Sequence, residues 1–154
     1  MTQTQVEVTN KEKQLKFKDW AQTEYVKISK FCGSKGYQVI SVNQKKCLFL
    51  APQIAIWYVR TDDKKVDLWV ISGDFPTDLT VSKVAKNARE VIRHFSLSWQ
   101  LKAAKLEESL AEGKIALAGK ETQEKFAQQL ITQAESLYTL YNDEKIWVQE
   151  GLNQ

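Results

Sequence analysis

The feature that most restricts the fold is a change of period after Gly36. Four short runs rich in β-branched and aromatic residues follow: "YQVISV" (37–42), "CLFL" (47–50), "IAIWYVR" (54–60) and "VDLWVIS" (66–72). Runs of this composition read as strands, and the segments between them, "NQKK", "APQ" and "TDDKK", read as turns. A parallel crossover needs a dozen or more residues, so connections this short require antiparallel neighbours. Pro52 lacks the donor a ladder needs and marks an edge, bulge or break. The last two runs are apolar on both pleat faces, as expected of central strands covered by helices or of a sheet face used for contact.

Helical spacing flanks this block. From Lys11 to Lys35, Phe17, Trp20, Ala21, Ile28, Phe31 and Cys32 recur on one stripe, with lysines largely off it, and Gly33 and Gly36 give the stop signal. A longer stripe runs through Val81, Val84, Ala85, Ala88, Ile92, Phe95, Trp99, Ala103, Leu106 and Leu110. "AEGKIALAGK" (111–120) interrupts it, and a third helix places Phe126, Ala127, Leu130, Ala134, Leu137, Tyr138 and Tyr141 on one face. Ile146 and Trp147 then anchor a last helical turn or two. The expected architecture is α+β: an N-terminal helix, an antiparallel sheet of three to four strands, then two C-terminal helices packed on the sheet. Residues 1–10 are expected to form a flexible tail, and 11–150 a single α+β domain.

At 154 residues and 43% hydrophobic, the chain has material for a sizeable core. The N-terminus "MTQTQVEVTN" has no apolar core of a secretory signal, and no run approaches the ~20 apolar residues that span a bilayer, so the expected location is the cytoplasm. Cys32 and Cys47 lack C-x-x-C spacing and read as small hydrophobes rather than a disulfide, redox pair or metal site. Residues 1–65 carry 12 Lys/Arg against 6 Asp/Glu (+6), and residues 66–154 carry 10 against 13 (−3). The basic half is read first as a solvated lysine face on the first helix, and only then as a surface for phosphate or an acidic partner.

The stretches "WVISGDFPTD" (69–78), "AREVIRHFSLSWQL" (88–101) and "LYTLYNDEKIW" (137–147) resemble a bacterial family of small cytoplasmic proteins known as a domain of unknown function. The resemblance runs from about Trp20 to Trp147. It implies no activity, cofactor or catalytic residue. The resemblance implies that members often have a His after the second Asp of the loop, where this chain has Leu79, a departure that counts against an acid/base pair there.

Two clusters carry chemistry worth weighing. In the loop "GDFPTD", Asp74 and Asp78 are a candidate carboxylate pair, yet two acids are too few for a Mg²⁺ or Ca²⁺ cage. The structural alternative makes Gly73 a positive-φ position, Asp78 or Thr80 the cap of the long helix, and Leu79 with Val84 its hydrophobic staple. On the helix, Arg89, Arg93 and His94 form a candidate cationic cluster for a carboxylate or phosphate. His94 is the only histidine, which excludes histidine-rich zinc sites and H-E-x-x-H proteases. No P-loop, Rossmann glycine pattern or G-x-S-x-G elbow is present.

These features lead to the expectation of a non-enzymatic protein-binding domain with an immunity-like, adaptor or regulatory role. It would take a protein partner or a second copy of itself, with no cofactor, metal or membrane. One alternative is a small enzyme acting on a polar substrate through Asp74, Asp78 or His94. Another is a weak nucleic-acid binder using the first helix's lysines and the Lys45/Lys46 turn.

Overall fold

The computed structural model describes residues 2–63, 66–113 and 117–149. The chain divides into two compact units, Met1–Lys83 and Val84–Gln154.

The first unit opens with helix α1, Thr2–Ser34. No proline or glycine interrupts residues 1–32, and the helix takes in residues 2–10 instead of starting at Lys11. Side chains 11–19 are all exposed, so the packed stripe begins at Trp20 and continues at Glu24, Ile28 and Cys32. This four-residue spacing keeps one side of the helix on the sheet. The helix ends where Gly36 takes a φ of 92° and Tyr37 N–H bonds back to the Cys32 carbonyl at 2.9 Å.

Strands β1 (Val39–Val42), β2 (Leu48–Leu50), β3 (Ile54–Thr61) and β4 (Asp67–Gly73) match the four apolar runs, and every pairing is antiparallel. A fifth strand, β5 (Asp78–Val81), corrects the expected count. The order is β1-β3-β4-β5, with β2 pairing residues 54–56 of β3 and β1 pairing residues 59–61. On one pleat face Ala55, Trp57, Val59, Leu68 and Val70 form a buried core with Ile28 and Cys32 of α1. Ile54, Ile56, Trp69 and Ile71 on the other face are equally withdrawn from water. Both faces are thus apolar, as the unbroken hydrophobic runs require.

The second unit is built on a helical hairpin, α2 (Ala88–Ala111) and α3 (Leu117–Tyr141), closed by α4 (Glu144–Gln149). Small residues let α2 and α3 approach: Ala103, Ala127 and Ala134 are fully buried, and Ser96 Oγ donates to the Ala134 carbonyl at 2.7 Å. Val91, Ile92, Phe95 and Trp99 complete the apolar stripe of α2. Gly113, at φ 70°, turns the chain after α2; of the expected break at 111–120, residues 114–116 lie outside the described residues and 117–120 already belong to α3. Trp147 is fully buried, and its indole donates to the carbonyls of Leu140 and Tyr141 at 3.1 and 3.0 Å. It is the anchor expected for the tail.

One expectation fails in an instructive place. The loop after β4 does not lead into the long helix; it returns as β5, in which Leu79 pairs with Val70 and Thr80 with Trp69. Asp78 and Thr80 therefore lie in a ladder and do not cap α2, and Leu79 and Val84 do not form its staple. The cap is Asn87, whose side-chain oxygen accepts the Glu90 N–H at 3.0 Å.

Candidate functional site

The loop 73–78 is anchored from beneath by a residue that the motif reading passes over. Glu24 is 5% exposed, the one buried charged side chain among the described residues. Strand β5 pairs with β4 only as far as Ile71, so the Gly73 N–H has no strand partner. It donates to Glu24 Oε2 at 3.0 Å. Lys27 Nζ reaches Glu24 Oε1 at 2.8 Å and the Gly73 carbonyl at 3.4 Å. Ser72 also donates to the carboxylate, and Ser72 Oγ in turn accepts the Trp57 indole N–H at 3.1 Å. Burial alone would raise the carboxyl's pKa. The hydrogen bonds from Lys27, Ser72 and Gly73, together with the Lys27 charge, outweigh it and hold Glu24 below the usual carboxylate range. Both oxygens of this carboxylate are engaged, and the bonds from Gly73 and Ser72 tie the end of β4 to α1.

The two loop acids occupy different settings. Asp74 is exposed, and its backbone N–H bonds the Gln53 carbonyl at 2.9 Å. Asp78 is half-buried in β5, and its Oδ1 accepts the Leu79 N–H at 2.8 Å. Leu79 packs against the α1-side core. Gly73 has a φ of 102°, as expected from the sequence. Beyond φ, a Cβ there would lie 2.9 Å from both the Gln53 carbonyl carbon and the Ile54 Cα.

The helix residues are placed differently again. Arg89 is turned inward, its side chain 17% exposed. Its guanidinium donates twice to the Tyr141 carbonyl, at 3.2 and 3.0 Å, and once to Glu144 at 2.7 Å. It also lies 5.1 Å from the ring centres of both Tyr141 and Trp147. A cation on the last carbonyl of α3 faces that helix's negative pole, so Arg89 pins α3 and α4 to α2. Arg93 is exposed one turn further on, and His94 is half-buried with its ring edge-on to Phe95 at 5.5 Å. Arg89→Ala should lower unfolding stability by about 2 kcal/mol. Arg89→Lys, lacking the planar fork, should recover less than half of that loss. Urea midpoints of the two variants check both statements, and midpoints equal to wild type would contradict the pinning role.

The cysteines are free thiols, Cys32 buried and Cys47 half-buried. Burial pushes both upward in pKa, Cys32 to about 11, so neither is a ready nucleophile at neutral pH. Among the described residues no group of three or more His, Cys, Asp or Glu side chains gathers to hold a metal. Nor, among them, is any helix long and apolar enough to cross a membrane.

Two surfaces remain uncommitted to the interior. In the second unit a groove between α2 and α3 is lined by Leu97, Gln100, Glu107, Ile131, Glu135 and Tyr138, among others. Leu97, Tyr138 and the adjacent Leu101 are 49%, 50% and 58% exposed. In the first unit an aromatic groove runs along α1 past Phe49 and Trp57.

The fold and these surfaces define a small α+β protein with a helix-backed antiparallel sheet and a helical hairpin. The chain belongs to the family described as a domain of unknown function (DUF4826), which matches residues 13–147. No curated protein and no solved structure matches it.

Proposed function

We propose that this is a non-enzymatic, cytoplasmic protein-binding domain, of the immunity-like, adaptor or regulatory kind, and that the exposed Leu97, Leu101 and Tyr138 of the α2–α3 hairpin mark its binding surface. The observation that carries this reading is the exposed stripe of Leu97, Leu101 and Tyr138 beside an open groove. Half-exposed large apolar side chains grouped on one face, rimmed by polar residues, are the usual mark of an interaction site. The rim carries Glu107 and Glu135, and among the described residues none that lines the groove is basic. The matching partner is an amphipathic helix that inserts an apolar stripe and flanks it with Lys or Arg.

The polar candidates support the same reading by their occupations. Arg89 holds the α3–α4 corner, Asp78 braces its own strand, and Glu24 secures the loop. Affinity purification from native cells, followed by size-exclusion chromatography, tests the proposal. A stoichiometric complex should form with the wild type and be lost in Leu101→Asp and Tyr138→Asp, each weakening binding about 30-fold or more. Failure to find any stoichiometric partner, or a complex indifferent to both changes, would overturn it.

A further inference from the structure

The aromatic groove of the first unit has a different chemistry and stands independently of the α2–α3 surface. Its walls are Phe17 of α1, Phe49 of β2 and Trp57 of β3, and its cavity volume is about 780 Å³. That size lies within the range of small-molecule sites. The rings hold one another in place. Phe49 meets Trp57 edge-on at 4.8 Å and Phe17 edge-on at 5.9 Å, while Trp57 is tied through its indole N–H to Ser72. Rigid walls of this kind lose little freedom when a ligand arrives. Phe17 is 40% exposed, so apolar ring surface is open to the groove.

The polar groups select the ligand. Among the described residues Lys18 is the one cation lining the groove, Gln22 and Gln44 add amide donors, and no carboxylate lines it. An apolar slot with a cation and amides at its rim suits a flat aromatic body bearing an acidic group. A cationic ligand would meet no counter-charge there. We infer that this groove binds small planar aromatic anions, carboxylates or sulfonates, with the rings laid against the open surface of the Phe17–Phe49–Trp57 cluster and the anionic group toward Lys18.

Naphthalene-2-sulfonate is a suitable probe, titrated into the ¹⁵N-labelled full-length chain and followed by amide and indole NMR shifts. Saturable shifts are expected at Ala21, Gln22, Gln44, Phe49 and the Trp57 indole. Lys18→Glu, an exposed position whose change leaves the fold intact, should weaken binding about fivefold. The neutral analogue naphthalene-2-methanol should bind more weakly than the sulfonate and be indifferent to Lys18→Glu. Phe49→Leu, which keeps an apolar side chain in β2, should weaken both probes. Shifts that fail to saturate, that scatter away from the groove, or that leave the sulfonate's affinity unchanged in Lys18→Glu would each overturn the assignment.

Discussion

Gly73→Ala is expected to destabilise the protein by about 3 kcal/mol or more, although it adds a single methyl group. Two independent costs combine. At φ 102° an L side chain is strained, which costs on the order of 1–3 kcal/mol. The new Cβ would also press on the backbone of Gln53 and Ile54, which cannot step aside as a flexible side chain would. Overpacking adds a further ~1–3 kcal/mol. The effect should appear as a large drop in the urea midpoint with the slope unchanged. Gly33, which has open space around its Cβ position and no positive φ, is the control: Gly33→Ala should be neutral or slightly stabilising. Similar losses at both glycines would contradict this account of the loop.

Glu24→Ala is expected to cost about 3 kcal/mol at pH 7, because it strands the donors of Gly73, Ser72 and Lys27 together. Lys27 is 42% exposed, so most of this loss belongs to the Gly73 and Ser72 bonds and little to the ion pair. The pH dependence has a definite sign. The folded carboxyl titrates below its unfolded value, so its contribution is complete above the unfolded pKa, roughly 4.3. It is lost as pH falls through the lowered folded value. In Glu24→Gln that component is absent. The stability gap between wild type and Glu24→Gln should therefore be constant from pH 7 to about 5 and narrow below about 4. A gap that held steady to pH 2.5 would show that folding does not lower the Glu24 pKa, and would contradict the role given to its hydrogen bonds.

Both predictions concern the stretch that looks most like an active site. "GDFPTD" has the glycine, acids and proline of a catalytic loop, but its structural duties are now specific. Gly73 turns beneath Gln53, Asp74 N–H continues the β3 pairing, and Asp78 opens a strand. The sequence reading placed a strand-to-helix turn here, but the turn joins β4 to β5, so the element that follows it was misassigned. Val81, Val84, Ala85 and Ala88 happen to continue the helical series of Ile92 and Phe95, and this hid a four-residue strand. A strand that short carries too few alternations to compete with a long helical stripe. Asn87, with Glu90 three residues on, was the available signal for the true helix start.

Glu24 was legible by a similar route. Trp20, Glu24, Ile28 and Cys32 are spaced four apart, so a carboxylate sits on the very stripe that packs the sheet. A charged residue at such a position needs partners, and the ends of strands supply unpaired N–H groups. Its partners, Ser72 and Gly73, lie far off in sequence and only the fold brings them to it. The four main strands, by contrast, were readable because their alternation, composition and short turns all agree. Arg89 illustrates the opposite limit: as a sequence it pairs with Arg93, but its contacts come from Tyr141, Glu144 and Trp147.

On the proposed reading, the exposed Leu97–Leu101–Tyr138 surface of the α2–α3 hairpin engages a basic amphipathic helix. The most direct measurement places a photo-crosslinking amino acid at position 101, on that face, and another at the exposed position 40 of β1 as a reference. Irradiation in native cells should give one dominant adduct at 101, whose crosslinked peptide is a helix with apolar residues every three or four positions and flanking Lys or Arg. Position 40 should give no adduct with that partner. No adduct at 101, or the same pattern of adducts at both positions, would contradict the claim.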